Sequence, residues 1–494
     1  MDEVQDYTMI IGLEVHVQLL TESKLFCRCA NRYGAPPNTL TCPVCTGAPG
    51  ALPVMNRRAY ELSVRAALGL NCEIPSFTKW DRKNYFYPDL PKGFQTSQFD
   101  LPLSQNGFLE ITDPEGAFKN RRIGIIRAHL EEDAGKSMHD EANHQGDTRI
   151  DLNRCGTPLL EIVSAPDLRS AQQASVYLSE LKLLLSYLEI SDCNMQEGSL
   201  RVDANVNLHI ECNGEKKATP IVEVKNMNSF RAVARALDYE GGRQFESWNE
   251  NGKCLGDPGV TKETRGWDDA AGITRSQRSK EESSDYRYFP EPDLPPVVIS
   301  DIEIDRQRAG LGRLPAQWRS RFISEYKLSE YDAAVLVNNG KTLVHYFEEV
   351  VEKVGDAKIV SNWMQQDVMR FLSENAIEMA DYPVSAGSFS DLLNAVKDEL
   401  LSTSRAREVL SCMLENALSV EDAMTQLGIA EVDSDETETL CRELLDANPQ
   451  VVADLKEGKG KAVGAIIGKA KQKNPNIQPK QVREICLRLV EKLP

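Results

Sequence analysis

Polar and apolar residues alternate without a break from Leu13 to Leu19, the period of a strand. That pattern predicts a strand over residues 10–19, with Glu14, His16 and Gln18 on one face and Leu13, Val15, Val17 and Leu19 on the other. The same alternation returns at 200–208, where Asp203, Asn205 and Asn207 share a face, and at 221–226, which pairs Glu223 with Lys225. Residues 123–136 run from a strand-like segment into Glu131, Glu132 and Asp133, and 150–162 is strand-like on both sides of a Gly156-Thr157-Pro158 turn. Helical spacing appears at 59–70 and again after a capping box, Ser170 with Gln173. The second helix runs through about Leu188 and carries Leu178, Leu181, Leu184, Leu185 and Leu188 on a broad apolar face. Several strands with polar residues on one side predict an open antiparallel sheet with a charged floor.

Beyond about residue 300 the alternation stops and helices are predicted at 314–326, 331–338 and 343–354. Pro290, Pro292, Pro295 and Pro296 cannot continue a helix and read as a semi-rigid exit from the first domain. A second shift falls near 405–410. The expected organisation is α+β: a sheet-containing domain at 1–299, an all-helical domain at 300–407 and a helical tail domain at 408–494. Charge modifies this picture at one place. A formal net charge of −18 argues against coating nucleic acid or membrane through bulk charge, but residues 456–492 hold ten Lys or Arg against three acids, a local surface for a phosphate backbone. No window approaches the ~18 apolar residues of a spanning helix, and Met1 to Asp6 are acidic where a signal peptide is basic. The expectation is a soluble protein of a reducing compartment, the cytoplasm of a bacterium or, after processing, an organelle.

In that compartment twelve cysteines read as metal ligands and buried thiols. Cys27-Arg28-Cys29, twelve residues, then Cys42-Pro43-Val44-Cys45 match a closed tetrahedral zinc clip with a structural role. A carboxylate and an imidazole two residues apart on a strand, Glu14 and His16, can share a divalent metal; the alternative is an ordinary solvated sheet face. The run Glu131-Glu132-Asp133, if buried, calls for a cation. Residues 79–93 combine Arg, Lys, Asn and aromatics, offering anion contacts beside stacking surfaces suited to a nucleotide or an RNA end. The glycines at 458–469 fail the Walker spacing, and no nucleophile elbow occurs.

Taken together, Gly12 to Leu19, the two cysteine pairs, Arg82 to Asp89, His129 to Lys136, Asp151 to Arg154 with Pro158 to Glu161, and Asp285 to Pro290 resemble the GatB family, the B subunits of tRNA-dependent amidotransferases, across essentially the whole chain. The resemblance implies a cradle domain related to the glutamine synthetase fold, a helical domain and a tRNA-gripping tail. It implies ATP-dependent phosphorylation of the side-chain carboxylate of misacylated Glu-tRNA(Gln), or Asp-tRNA(Asn), followed by amidation with ammonia. The implied partners are an amidase A subunit and a small C subunit in a heterotrimer. Glu14, His16 and Glu132 match metal positions, with Glu131, Asp203 and Glu223 as further Mg²⁺ candidates. Lys83 and Lys92 with Glu132 look like the gate of an ammonia tunnel, and Cys27, Cys29, Cys42 and Cys45 match the zinc clip. Arg278, Lys280 and Arg287 are candidate ATP contacts. The competing expectation is a non-catalytic RNA-binding subunit, which would show no ATPase activity.

Overall fold

A computed structural model of the chain describes residues 7–113, 116–139, 148–212, 214–277, 285–429, 434–457, 459–474, 476–477 and 479–491. Contacts divide it into two compact units, Met1–Trp318 and Arg319–Pro494.

The first unit is built on a nine-stranded sheet. Tyr7–Gln18 lies at its centre between Leu200–Cys212 and Pro158–Ser164. On one side the order continues through Val222–Lys225, Glu263–Asp268 and Ile273–Ser276; on the other, through Arg121–Glu132 to Ser104–Ile111. The alternation does what its period requires: Ile11, Leu13, Val15 and Val17 are fully buried on one face. Against them pack Leu62 of helix Arg57–Gly69, Leu178, Leu181 and Leu185 of helix Ala171–Tyr187, and Leu237 of helix Phe230–Asn251. Ser170 caps the second of these by accepting from the Gln173 amide, while Gln173 Oε1 reaches back to the Arg169 amide instead of Ser170's. Each buried leucine contributes about 1.5–3 kcal/mol through apolar burial. The opposite face is left polar.

The sheet departs from the antiparallel expectation at one pair. Val222–Lys225 and Glu263–Asp268 run parallel, because helix Phe230–Asn251 carries the chain back to the starting end of the sheet between them. A second irregularity falls in Arg121–Glu132, where the register against Pro158–Ser164 shifts between Ile125 and Arg127. Ile123 and Ile125 are buried before the shift, Ala128 and Leu130 after it, and Ile126 is half exposed. The neighbouring strand jogs at the same level, through Asn106 with φ 55°, between buried Ser104 and buried Leu109. A separate hairpin, Asp81–Asn84 with Phe94–Ser97, lies over the end of Arg121–Glu132: Gln95 donates to the Glu132 carbonyl (2.8 Å) and the Thr96 amide to the Glu132 carboxylate (2.8 Å). Residues 300–318 belong to this unit; helix Asp301–Ala309 packs on Arg57–Gly69, and Ile304, Leu311 and Leu314 join the core.

The second unit is helical. Ser329, Ser385, Ser402 and Ser419 each cap a helix through the side-chain oxygen. Helix Ala357–Trp363 passes through a π turn, Met364–Val368, into Met369–Asn375. The last helices, Ser434–Asp446, Pro449–Lys456, Val463–Lys473 and Pro479–Glu491, close on their own core of Leu444, Leu445, Ile466, Val482 and Ile485. Among the described residues no helix is long and apolar enough to cross a membrane.

Candidate active site

Three strands meet in register so that Arg201, His16, Glu161 and His129 stand side by side on the polar face. His16 Nε2 lies 3.6 Å from Glu161 and 3.7 Å from Glu131, which follows His129 by two positions and therefore shares its face. His129 Nε2 approaches Glu161 at 3.3 Å, and its Nδ1 is buried without a hydrogen-bond partner. Ligand atoms of His16, Glu131 and Glu161 all lie within 4.8 Å of one another. One imidazole and two carboxylates at that separation suit a divalent cation.

The charges here are strongly interdependent. Burial by itself would lower His16, but its hydrogen bond to Glu161 and the charges of Glu131 and Glu161 lift it to about 9. Burial and the nearby Glu161 charge raise Glu131, whereas Glu161, despite burial, is held well below the usual carboxylate range by His129 and His16. Without a metal, imidazolium and carboxylate balance each other.

A cavity of about 420 Å³ opens over this group, lined also by Lys83, Tyr85, Arg201 and Lys225. The Lys83 ammonium lies 4.8 Å over the Tyr286 ring; burial would depress it, but Glu131 and Glu161 together raise it. Asp133 is held by Arg201 (2.7 Å), Gln18 (3.2 Å) and Arg154 (3.4 Å).

Several expectations are corrected by this arrangement. Glu132 does not join Glu14 and His16; strand alternation turns it to the opposite side from Glu131, where it pairs with Lys92 and accepts from the Thr96 amide. Lys83 and Lys92 are likewise separated: Lys83 lines the cavity over His16 and Glu131, and Lys92 lines another, of about 180 Å³, with Glu132. Glu14 accepts from Asn205 (2.8 Å), and Asp203 and Glu223 both engage Lys225, at 2.5 and 3.2 Å, so none of these three is in the metal-capable group. Thus the three consecutive acids, all buried, go to three different sets of partners. Arg287 is exposed, with φ 43°, beside a cavity of about 930 Å³ lined by Tyr85, Phe86, Tyr87 and Tyr286. Arg278 and Lys280 lie outside the described residues.

Glu161, His129 and Arg201 were missed as site residues. Pro158–Ser164 is buried along nearly its whole length and shows no alternation, so its one available signal is a lone carboxylate in an apolar run.

The cysteines do come together: Sγ atoms of Cys27, Cys29, Cys42 and Cys45 lie within 4.8 Å of one another. A Zn–S bond of about 2.3 Å needs sulfurs roughly 3.8 Å apart, which this cluster accommodates. The hydrogen bond from Cys27, the Cys42 amide and the Lys24 ammonium lower Cys45 to about 5, which favours a thiolate donor. Lys24 is almost fully buried, its Nζ 3.7 Å from Cys45 Sγ and 2.6 Å from the Leu40 carbonyl.

This chain matches the model of the GatB/GatE catalytic domain over residues 9–305 and that of the GatB domain over 345–490. The chain belongs to the GatB family. Among its relatives is the B subunit of the aspartyl/glutamyl-tRNA(Asn/Gln) amidotransferase of Rhodopirellula baltica, 58% identical over 98% of this chain and 97% of that protein. Proteins of the same name from Caldicellulosiruptor bescii and Carboxydothermus hydrogenoformans are 44% and 42% identical, each over 99% of this chain and all of the relative. Within the GatB catalytic-domain match fall both the His16–Glu131–Glu161 group and the four-cysteine cluster.

Proposed function

We propose that this chain is the amidating subunit of a tRNA-dependent amidotransferase, acting on Glu-tRNA(Gln), Asp-tRNA(Asn) or both. It would phosphorylate the side-chain carboxylate of the misplaced amino acid with ATP and exchange phosphate for ammonia. The observation that carries this reading is the His16–Glu131–Glu161 group under a cavity walled by Lys83 and Arg201. His16, Glu131 and Glu161 would hold Mg²⁺, which when bound supplies positive charge to the phosphates of ATP. Lys83 and Arg201 face the same space and can hold the substrate carboxylate and the departing phosphate, as phosphoryl transfer is mainly positioning and charge neutralisation. His129 and Arg201, flanking the row, hold Glu161 and Asp133 in place. On the far side of the strand, Lys92 and Glu132 would form the ammonia gate, and the four cysteines would hold structural Zn²⁺.

The names of the relatives support partners of the same kind: a glutaminase A subunit and a small C subunit in a heterotrimer, working in the cytoplasm on misacylated tRNA. A cradle-like first domain, a helical domain from about 300 and a tRNA-binding tail from about 408 complete the proposal. Its test is ADP release by the assembled complex with ATP and misacylated tRNA. Glu161→Gln removes one charge from the metal group, and loss of one such transition-state interaction costs about a hundredfold to a thousandfold in kcat. ADP release at the wild-type rate and Mg²⁺ dependence would reject the site and favour a purely RNA-binding role.

A further inference from the structure

The cysteine cluster is built into one wall of the Lys92–Glu132 cavity: Cys27, Cys45, Gly47, Lys92, Glu132 and Gly156 all line it. Two short routes join them. In the first, the turn after Cys42 is tied by the Cys42 amide to Cys45 Sγ (3.2 Å), by the Thr46 amide to the Cys42 carbonyl (3.1 Å) and by the Gly47 amide to the Val44 carbonyl (3.1 Å). Gly47 therefore follows the sulfurs. It has φ +73°, and a Cβ there would fall 2.5 Å from Lys92 Cγ and 3.0 Å from Lys92 Cα, so the turn rests directly on the lysine's backbone and stem. In the second, Gly156 donates to the Asp133 carbonyl (2.9 Å) and accepts from the Leu25 amide (2.8 Å), joining the strand end that carries Glu132 to the segment leading into Cys27. A Cβ on Gly156 would lie 3.3 Å from Cys45 Cβ and 3.9 Å from Glu132 Oε2.

We propose that the four-cysteine cluster positions the Lys92–Glu132 pair through Gly47 and Gly156, so that metal leaving the cluster loosens the pair while the rest of the domain stays folded. This rests on the zinc-clip reading; only its activity arm also rests on the ammonia-gate reading. Interiors are close-packed, and a turn in contact with a side-chain stem transmits its displacement.

The test is reductive methylation of lysines in the full-length chain, quantified residue by residue by mass spectrometry. Lys225, ion-paired on the other face of the sheet, serves as the internal reference. Stripping zinc with a chelator should raise Lys92 labelling severalfold and leave Lys225 and the circular dichroism unchanged. Gly47→Ala should do the same with zinc in place. Gly50→Ala, also at φ +80° but with nothing within 4 Å of its Cβ, should not. Lys92 labelling unmoved by zinc loss, or rising only together with Lys225, overturns the proposal; if Gly47→Ala does not fold, the chelation arm decides alone. In the assembled complex, Gly47→Ala and Lys92→Met should both lower glutamine-driven amidation more than ammonium-driven amidation. If Lys92→Met spares that ratio, the gate reading fails while the labelling result still decides the positioning.

Discussion

Successive side chains on a strand point to opposite faces, so Glu131 and Glu132 cannot serve one ion from regular backbone. Glu131 faces His16 and Glu161; Glu132 faces Lys92. Substituting each by Gln should therefore give two phenotypes. Glu131→Gln is expected to lower tRNA-dependent ADP release about a hundredfold or more. Glu132→Gln is expected to leave ADP release largely intact but depress amide formation from glutamine, and to cost about 3 kcal/mol of stability because a buried ammonium loses its partner. Adding Lys92→Met should recover most of that stability in denaturant unfolding; no recovery would show that the pair is not what holds the residue. At this scale the sequence is legible where a pattern is regular. The alternation placed Glu14, His16 and Gln18 on one face, and the cysteine spacing marked all four sulfurs. It is illegible where a pattern is interrupted: the jog at Ile126 hides which of three consecutive acids faces which way, and Glu161 sits in a strand covered on both sides.

Helices and antiparallel strands are readable element by element because each carries its own period. The expected helix at 59–70 is Arg57–Gly69, and that at 331–338 is Glu330–Asn338. The parallel pair is not readable, since its direction depends on where helix Phe230–Asn251 delivers the chain. Within Glu330–Asn338 the first turn contains a measurable device. Ser329 caps the helix through the Asp332 amide, and the buried Asp332 carboxylate binds Lys358 (2.7 Å) and Gln365 (3.0 Å). Burial would raise this carboxyl, but hydrogen bonds from Lys358, Gln365 and Ser329 bring it down to about 2. A carboxyl lowered in the folded state stabilises above its unfolded value, near 4, and loses that contribution as pH falls towards 2. Solvent screening leaves about 1 kcal/mol. Asp332→Asn should accordingly unfold earlier than wild type at pH 7, with the difference vanishing near pH 2 in thermal melts.

For the molecule as a whole, the acidic balance of −18 makes the basic tail the natural phosphate-binding surface, but the folded tail already spends part of that charge internally. Lys473 and Lys480 contact Glu443 (3.5 Å) and Glu399 (2.5 Å), and Arg488 pairs with Glu438. Lys461, Lys471 and Arg483 are exposed. Replacing these three with Gln should raise the tRNA KM and flatten its dependence on log salt by up to about three, without changing kcat. An unchanged salt slope would place the RNA contacts elsewhere.

The paired jog at Asn106 and Ile126 has a consequence for how this family can lengthen or shorten. Either residue deleted alone would shift one strand against its neighbours and turn the acids at its end inside out. Deleted together, they leave two strands whose buried positions alternate without a break, Ser104 with Gly107 and Ile125 with Ala128 becoming neighbours of the proper parity. The single deletions should thus yield insoluble protein, and the double deletion a soluble chain that keeps its Mg²⁺ response. Natural gain or loss of residues in this hairpin should come in matched pairs, one from each strand.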